Sequence, residues 1–336
     1  MKLKNIFGLI SAMSLMLVSC SEESAIDGPD VIGKPDTSFD ITLVSGGVET
    51  KAAPTGYEHA TAEEIKIQTC AVAVFAGDGD SRMVGFKYST FNGTSNATYE
   101  QKEAYKVADI ETRSGNVKIL VVANSTLSET ELKKLDTYAK FKNQSVAYDD
   151  ANSFVASNLI KFGEVTAQIA TTAKSEIVVP LTQVAARVDV TYKVTVENGW
   201  NAQIENNTIK DINVRSQVFL PKYDINNYTF GDANLKNKTS VPVSDNKMSF
   251  YTYEKNTPVT IEVPVNLSYG GRSEKKTYKL SLLPAYEKDK CSTNGIVHGH
   301  YYEVTGNMSI DVELNCTIEW EVKSLESVSV TIPDFE

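Results

Sequence analysis

The sequence is short of positive charge and of the residue patterns that catalysis uses. It has 33 Lys and Arg against 43 Asp and Glu, a net charge of −10, whereas a nucleic-acid partner requires a positive field. It contains three histidines and no nucleophile elbow, phosphate-binding loop, dinucleotide fingerprint or zinc-protease motif. Adjacent carboxylates such as Glu63–Glu64 stand in polar stretches, which is typical of solvated charge. We therefore expect a protein that is not an enzyme, binds no nucleic acid and uses no metal or cofactor.

Long apolar runs are absent beyond the first twenty residues, so no interior segment is predicted to span a membrane. The N-terminus has Lys2 and Lys4, then an apolar stretch from Ile6 to Val18, then Cys20. This start resembles a bacterial lipoprotein signal (residues 1–20), in which Cys20 becomes the lipid-bearing first residue of the mature chain. An ordinary secretory signal is the alternative. The acidic residues after Cys20 resemble the tag that sends such lipoproteins to the surface of Bacteroidetes-type bacteria, and residues 21–37 read as a polar tether.

Cysteine is scarce as well. Cys70, Cys291 and Cys316 remain after Cys20, and this odd number allows at most one disulfide and one free thiol. Cys70 and Cys316 fall on apolar strand faces, where cysteine packs as a small hydrophobic residue. The sequence leaves open whether any of the three forms a disulfide.

Alternation between apolar and polar residues is abundant, most clearly in residues 302–322. Every even position there is apolar or glycine and every odd position is polar, which predicts strands with one buried and one exposed face. Since strands are usually no longer than about ten residues, we predict a break at Gly306–Asn307, made by a bulge or an odd-length loop that preserves the faces. The alternation resumes in a short apolar strand with little chain left to cover it, at Val328, Val330 and Ile332.

Most of the remaining chain also reads as strands separated by turns. Residues 117–123 are nearly all apolar, which is typical of a strand buried on both faces, and residues 184–196 alternate. Residues 259–269 and 277–283 flank Gly270–Gly271 as a predicted hairpin. An earlier apolar pattern lies near the N-terminus, at Phe39, Ile41 and Leu43.

Helical signals are few. One helix is predicted after Ser128, which forms a capping box with Glu131 and precedes Leu132, Leu135 and Tyr138 at helical spacing. Strands with recurring turns favour a mostly β protein of β-sandwich architecture. We predict two domains, residues 38–183 with one short helix and residues 184–336.

Five segments resemble, in the same order along the chain, the fimbrillins of Bacteroidales, the FimA/Mfa-type pilins. The lipoprotein-like start precedes all of them, and together they span most of the mature chain. The segments are VKILVVANS (117–125), PLTQVAARVDV (180–190), FYTYEKN (250–256), HGHYYEVTG (298–306) and the final IEWEV…VTIPDF.

The resemblance implies two transthyretin-like β-sandwich domains and a structural role in a surface fimbria with a part in adhesion. Members of this family reach the outer membrane as lipoproteins, and a protease then removes the tether and the first strand. A strand from another subunit fills the groove that remains. The partners implied are other fimbrial subunits, the outer membrane through the lipid before assembly, and a host or bacterial surface ligand. The removed strand would contain Phe39, Ile41 and Leu43, and the donor strand Val328, Val330 and Ile332.

The sequence departs from the family at the processing point. The family is cut after an arginine, whereas this chain has Lys51 in the corresponding place. Either a protease of another specificity cuts there, or the first strand stays and the subunit is terminal or anchoring. Stalk, tip and anchor positions therefore remain open. The second interpretation is a surface-anchored, glycan-binding lipoprotein, in which Trp200 and Tyr251 would stack on sugar rings.

Overall fold

The structure, a computed structural model, describes residues 34–45, 61–77, 81–91, 104–172, 174–219, 234–283, 285–288, 291–297 and 299–326. These residues form twenty strands and three short α-helices, which confirms the prediction of a mostly β protein. The strands of the first half are β1 (Thr37–Ser45), β2 (Thr69–Ala76), β3 (Met83–Thr90), β4 (Ala104–Thr112), β5 (Gly115–Ala123), β6 (Ser145–Ala147), β7 (Lys161–Ile169) and β8 (Glu176–Gln183). Those of the second half are β9 (Ala186–Val196), β10 (Asn201–Ile204), β11 (Asn207–Asn213), β12 (Arg215–Gln217), β13 (Leu235–Val241), β14 (Lys247–Thr252), β15 (Val259–Tyr269), β16 (Arg272–Leu282), β17 (Ala285–Lys288), β18 (Cys291–Asn294), β19 (His300–Ile310) and β20 (Cys316–Glu326).

The first half packs two groups of strands face to face. Its strands pair in the order β3-β2-β5-β7-β8-β1-β4. The end of β8 pairs with the start of β7, while the rest of β8 pairs with β1, so the sheet turns back on itself there. The inner faces meet in what we call the N-terminal cluster: Phe39, Ile41, Leu43, Ile67, Cys70, Val72, Val74, Val84, Tyr105, Val107, Ile110, Val117, Ile119, Val121, Ala123, Ile169, Val179 and Leu181.

The second half has two larger sheets, β14-β9-β19-β20 and β10-β15-β11-β13, with β16 pairing on β15. Their apolar faces meet in a second cluster, which we call the shared cluster because it also takes side chains from β2 and β5. It includes Ala71, Phe75, Leu120 and Val122 from the first half and Val188, Val190, Phe250, Val263, Tyr302 and Val304 from the second. Residues 117–123 therefore face an apolar cluster on each side, as predicted. The predicted hairpin is also present, and its Gly270 and Gly271 both have positive φ, as a two-residue turn requires.

The predicted break at Gly306–Asn307 is wrong, because β19 continues through both residues. Gly306 pairs with Trp320 across the hairpin, and a Cβ built on this glycine would lie 2.6 Å from the Trp320 ring. The glycine thus makes room for the indole instead of ending the strand. The chain turns at residues 311–315, where Leu314 has φ +61° and the Asp311 side chain accepts hydrogen bonds from Asn315. This five-residue connection has the odd length that the alternation demanded.

The expectation of one helix is also wrong, since the described ranges alone contain three: α1 (Ala62–Ile65), α2 (Glu129–Lys133) and α3 (Tyr138–Lys142). The predicted capping box of α2 is present, but the helix ends at Lys133. Between α2 and α3 the backbone bonds to the segment that enters β3: Met83 N–H donates to Asp136 O (2.8 Å) and Tyr138 N–H donates to Ser81 O (3.0 Å). Three-residue 3₁₀ turns occur at Ala151–Ser153, Ala156–Asn158 and Glu197–Gly199. Among the described residues, no helix is long and apolar enough to cross a bilayer.

Candidate functional site

Strand β1 lies inside its sheet, with a neighbour on each edge. It pairs antiparallel with β4 and parallel with β8, so Ile41 stands opposite Val107 on one side and Ile177 on the other. Pairing with β4 begins at Thr37, and pairing with β8 begins at Asp40, whose N–H donates to Ser175 O at 2.9 Å. Without β1, both β4 and β8 would present a row of unpaired backbone groups to whatever replaced it.

The inner face of β1 supplies three side chains to the N-terminal cluster. Phe39, Ile41 and Leu43 are each 0% exposed, which confirms the burial expected from the sequence. Burying such side chains contributes about 1.5–3 kcal/mol each, roughly 5–9 kcal/mol together before the entropy of ordering the strand is subtracted. The space that these residues fill is an apolar slot whose walls come from strands other than β1.

The outer face of β1 carries a charge held from both sides. The Asp40 carboxylate lies 3.3 Å from Lys106 Nζ of β4 and 2.7 Å from Lys174 Nζ, which precedes β8. It also accepts a hydrogen bond of 2.9 Å from the Asp109 backbone N–H. The hydrogen bonds from Lys174 and from Asp109 N–H lower the pKa of Asp40 to about 2, so this group is an anion at any physiological pH.

An irregularity in β4 aims the Asp109 amide at Asp40. Phe39 pairs with Ile110 but Ile41 pairs with Val107, so β4 has two residues opposite Asp40. Asp109 has φ +54°, a conformation that non-glycine residues rarely adopt. Because of this bulge, Asp40 is the one residue of β1 whose side chain meets the Asp109 amide.

Further polar contacts hold the rest of the outer face. Thr42 Oγ1 donates to a Glu176 carboxylate oxygen at 2.8 Å, and Asp36 accepts hydrogen bonds from Ser114 N–H (2.6 Å) and Ser114 Oγ (2.8 Å). The Ser114 hydroxyl and backbone hydrogen bonds lower the pKa of Asp36. β1 is therefore held by its neighbours along its whole length.

Other residues expected to take part in processing lie outside the described part of the chain. These are the lipid-bearing Cys20, the processing residue Lys51 and the donor residues Val328, Val330 and Ile332. Their roles stay predictions. The removed-strand residues of β1 are thus the part of the expected site whose surroundings can be described.

After residues 46–60, α1 holds the chain to the second half. Glu64 of α1 is 2% exposed and accepts hydrogen bonds from Thr61 N–H (2.6 Å), Arg187 (3.0 Å) and the Tyr251 hydroxyl (3.0 Å). Arg187 also donates twice to Asp189, at 2.8 and 2.7 Å. The prediction of Glu64 as solvated charge is therefore wrong; the Thr61-x-x-Glu64 spacing is that of a capping box and was an overlooked signal of its N-terminal role in α1.

The same contacts bear on the sugar-binding interpretation. The Tyr251 hydroxyl donates to Glu64 and its ring stacks on Phe154, with centroids 6.5 Å apart, so the hydroxyl and one face of the ring already have protein partners. Trp200 stacks on the half-exposed Tyr269 with ring centroids 5.8 Å apart. A small polar cavity of about 280 Å³ lies on the outer face of the β14-β9-β19 sheet, but Arg187, Asp189 and Tyr301 in its lining bond to one another.

Sequence reasoning missed the charged contacts of β1. Asp40 occupies an ordinary outward position in an alternating strand, and its partners Lys106 and Lys174 stand 66 and 134 residues further along the chain. The strand order needed to bring these three together does not appear in the pattern of any one segment.

Known proteins resemble this chain over nearly its whole length. Residues 37–268 match the family model described as major fimbrial subunit protein (FimA). A protein of Parabacteroides distasonis, provisionally named fimbrium tip subunit Fim1F, is 30% identical over an alignment of 356 positions that covers 98% of each chain. A solved structure from the same species, provisionally described as a cell adhesion protein, has a TM-score of 0.64 at 17% identity and covers 88% of this chain and 99% of its own. A fimbrilin (FimA) from Porphyromonas gingivalis W83 has a TM-score of 0.52 at 15% identity, with 88% and 99% covered. At these identities, the two structures establish a shared fold.

Proposed function

This chain belongs to the FimA family of fimbrial subunits, and we propose that it joins its fimbria by exchanging strand β1 for a strand of another subunit. As a member of that family it is a non-enzymatic protein of the fimbria at the cell surface, associated with other fimbrial proteins. Donor-strand exchange is the finer step, and the position of β1 supports it.

The observation that carries the proposal is the way β1 is built into the first half. Its three core side chains all enter the N-terminal cluster, whose members belong to the first half. Its two edges pair with β4 and β8, so a strand of similar pattern can reproduce every backbone hydrogen bond. One segment, residues 46–60, links β1 to the rest of the described chain, and a single cut there would free the strand to leave.

The remaining steps follow from the family and the N-terminal sequence. We propose that Cys20 is lipidated and anchors the subunit in the outer membrane until processing after Lys51 removes the tether and β1. Val328, Val330 and Ile332 then form the strand donated to a neighbour. The domains of residues 38–183 and 184–336 would each be a transthyretin-like sandwich. The tip-subunit name of the P. distasonis relative supports a place at the fimbrial tip and a role in adhesion.

Strand exchange can be tested without a native partner. A sequence-specific protease site is placed within residues 50–55, the purified protein is cut, and a fluorescent peptide with the sequence of residues 37–45 is added in excess. We expect the peptide to replace the cut N-terminal fragment, measured as label that co-elutes with the folded protein. Uncut protein of the same sequence is the control and should take up no label.

Two results would contradict strand exchange. One is a cut protein whose first half unfolds even with peptide present. The other is a folded, cut protein that retains its fragment and excludes the peptide after prolonged incubation at raised temperature.

A further inference from the structure

The charged contacts on the outer face of β1 restrict which strand could replace β1 more than the apolar slot does. Lys106 of β4 and Lys174, which precedes β8, approach the single Asp40 carboxylate from the two sides of β1, and Asp109 N–H donates to the same group. Asp40 is only 8% exposed while β1 is in place, whereas the side chains of Lys106 and Lys174 are 51% and 45% exposed, so water and salt reach these ion pairs from the lysine side. These donors form an anion-binding position within the strand groove.

If β1 left, the two lysines would keep other acidic partners, but the Asp109 amide would keep none among the described residues. Lys106 is 3.6 Å from Glu176, and Lys174 is 2.7 Å from the Asp109 carboxylate. The Asp109 amide has no such substitute among its described contacts, because the bulge directs it into the groove. An incoming strand with a neutral residue at this position would therefore lose a charge-assisted hydrogen bond and two ion pairs.

The terminal segment of this chain does not bring the required anion. If Val328, Val330 and Ile332 enter the apolar slot, the outward positions fall to Ser327, Ser329 and Thr331, all of which are neutral. The acidic residues that flank this segment, Glu326 and Asp334, share the parity of the apolar residues and would point to the wrong face.

We propose that Lys106, Lys174 and the Asp109 amide select a donor strand that carries Asp or Glu on its outward face, and therefore a strand from a different kind of subunit. This proposal depends on the strand exchange proposed above and names the partner for it. Specificity arises because the wrong strand leaves charged and polar groups without partners, while the apolar slot accepts many sequences. A groove that rejects the chain's own terminal strand also prevents self-polymerisation, which suits a subunit present once per fimbria.

The test measures peptide affinity for the cut protein. Four labelled peptides are compared: residues 37–45, the same peptide with Asp40→Asn, residues 327–335, and the last with Ser329→Asp. We expect Asp40→Asn to weaken binding about three- to tenfold at low salt, and Ser329→Asp to strengthen binding of the terminal peptide by a similar factor. Both differences should shrink in 0.5 M salt, because screening weakens exposed ion pairs. A register control is the residue 37–45 peptide with Asp40→Asn and Thr42→Asp, which should bind no better than Asp40→Asn alone.

Substitutions in the protein, instead of in the peptide, test the same selectivity independently. A Lys106→Gln/Lys174→Gln variant should bind the unsubstituted 37–45 peptide and its Asp40→Asn form with nearly equal affinity, whereas Lys193→Gln on the outer face of β9 should keep the difference. Equal binding of both peptide forms by the unsubstituted protein would overturn the selectivity and leave strand exchange standing. Tight binding of the unsubstituted 327–335 peptide would overturn the inference of a different donor subunit. If no peptide enters at all, strand exchange itself fails.

Discussion

Strands β1 and β9 occupy the same place in the two halves of the molecule. Each pairs antiparallel with one neighbour, β4 or β14, and parallel with the other, β8 or β19. Each buries alternate side chains and turns a charged residue outward, Asp40 in β1 and Arg187 in β9. The local design of the two strands is therefore nearly the same.

The two strands differ in what they hold together. The buried residues of β9 belong to the shared cluster, and Arg187 reaches Glu64 in the other half of the chain. The buried residues of β1 belong to the N-terminal cluster, and the contacts of Asp40 within the described residues are with the neighbouring strands and the segment that precedes β8. Loss of β1 thus removes side chains from the N-terminal cluster alone, whereas loss of β9 would remove side chains from the cluster that both halves share. A strand that is to be exchanged must have its contacts confined in this way.

The largest expected effect comes from placing a charge in each strand. Val188→Asp puts an unpaired carboxylate into the shared cluster and should cost more than about 4 kcal/mol. Ile41→Asp is chemically similar but places its charge in the N-terminal cluster, so it should destabilise the first half more than the second. Both tryptophans, Trp200 and Trp320, lie in the second half, so their fluorescence follows that half during urea unfolding.

We expect Val188→Asp to shift the tryptophan transition strongly and Ile41→Asp to leave it close to that of the unsubstituted protein while β-sheet circular dichroism decreases. Ile41→Val is the matched control and should change both signals little. Equal shifts of the tryptophan transition for the two Asp variants would mean that β1 is as integral to the molecule as β9.

A smaller effect is expected at the ion pair that ties α1 to β9. Arg187→Ala leaves Glu64 buried without its cation, which should lower the free energy of unfolding by about 3–5 kcal/mol. Adding Glu64→Gln removes the unpaired buried charge, and the glutamine side chain can still accept the hydrogen bond from Thr61 N–H. The double variant should therefore be more stable than Arg187→Ala alone, as measured by urea unfolding. A double variant that is less stable than the single one would show that the charge on Glu64 has another compensating partner.

The smallest effect concerns a buried amine at the start of β7. Lys161 is 2% exposed, and its Nζ donates to the backbone oxygens of Lys66 and Leu159, at 3.0 and 3.1 Å. Both oxygens also accept hydrogen bonds from the Asn124 side chain. Burial lowers the pKa of Lys161 to about 7 from its ordinary 10.5.

Between pH 7 and 10.5 the unfolded chain therefore binds more protons at this residue than the folded one does, so stability should rise with pH. Lys161→Met should remove that rise and stabilise the protein by about 1–3 kcal/mol at pH 6, with the gain disappearing near pH 10. Urea midpoints at pH 6, 8 and 10 measure this, with Lys193→Met as the exposed control. Parallel curves for the protein and its Lys161→Met variant would refute the account.

Much of the fold could be predicted because the alternation of apolar and polar residues along a segment shows which face of a strand is buried. The pattern in residues 302–322 correctly required an odd-length connection, but it could not show that Gly306 lies beneath Trp320, since that contact crosses the hairpin. The capping box at Ser128 correctly started α2, but the predicted helix continued to Tyr138, whereas the chain after Lys133 hydrogen-bonds to the segment entering β3 through Asp136 and Tyr138. Local signals predict elements, and the ends of elements depend on distant neighbours.

The candidate site likewise has features that the local sequence predicts and features that depend on distant residues. The burial of Phe39, Ile41 and Leu43 could be predicted, because an apolar face on a strand implies a core. The anion-binding position could not, since Asp40 meets its lysines only through the order of strands in the folded sheet. For Glu64, the local spacing from Thr61 could have indicated the capping box, but no local pattern could indicate its ion pair with Arg187.

The hairpin of β19 and β20 has a mechanical consequence. Its eleven residue pairs run from His300 and Glu326 at the open end to Ile310 and Cys316 at the turn, and β19 is anchored in turn on β9. A pull on the chain beyond Glu326, directed along β20, loads all these pairs in shear at once. Hydrogen bonds loaded side by side share a force, whereas a pull across the strands would open them one after another from the end. The hairpin is therefore a strong attachment for tension along the strands and a weak one for tension across them.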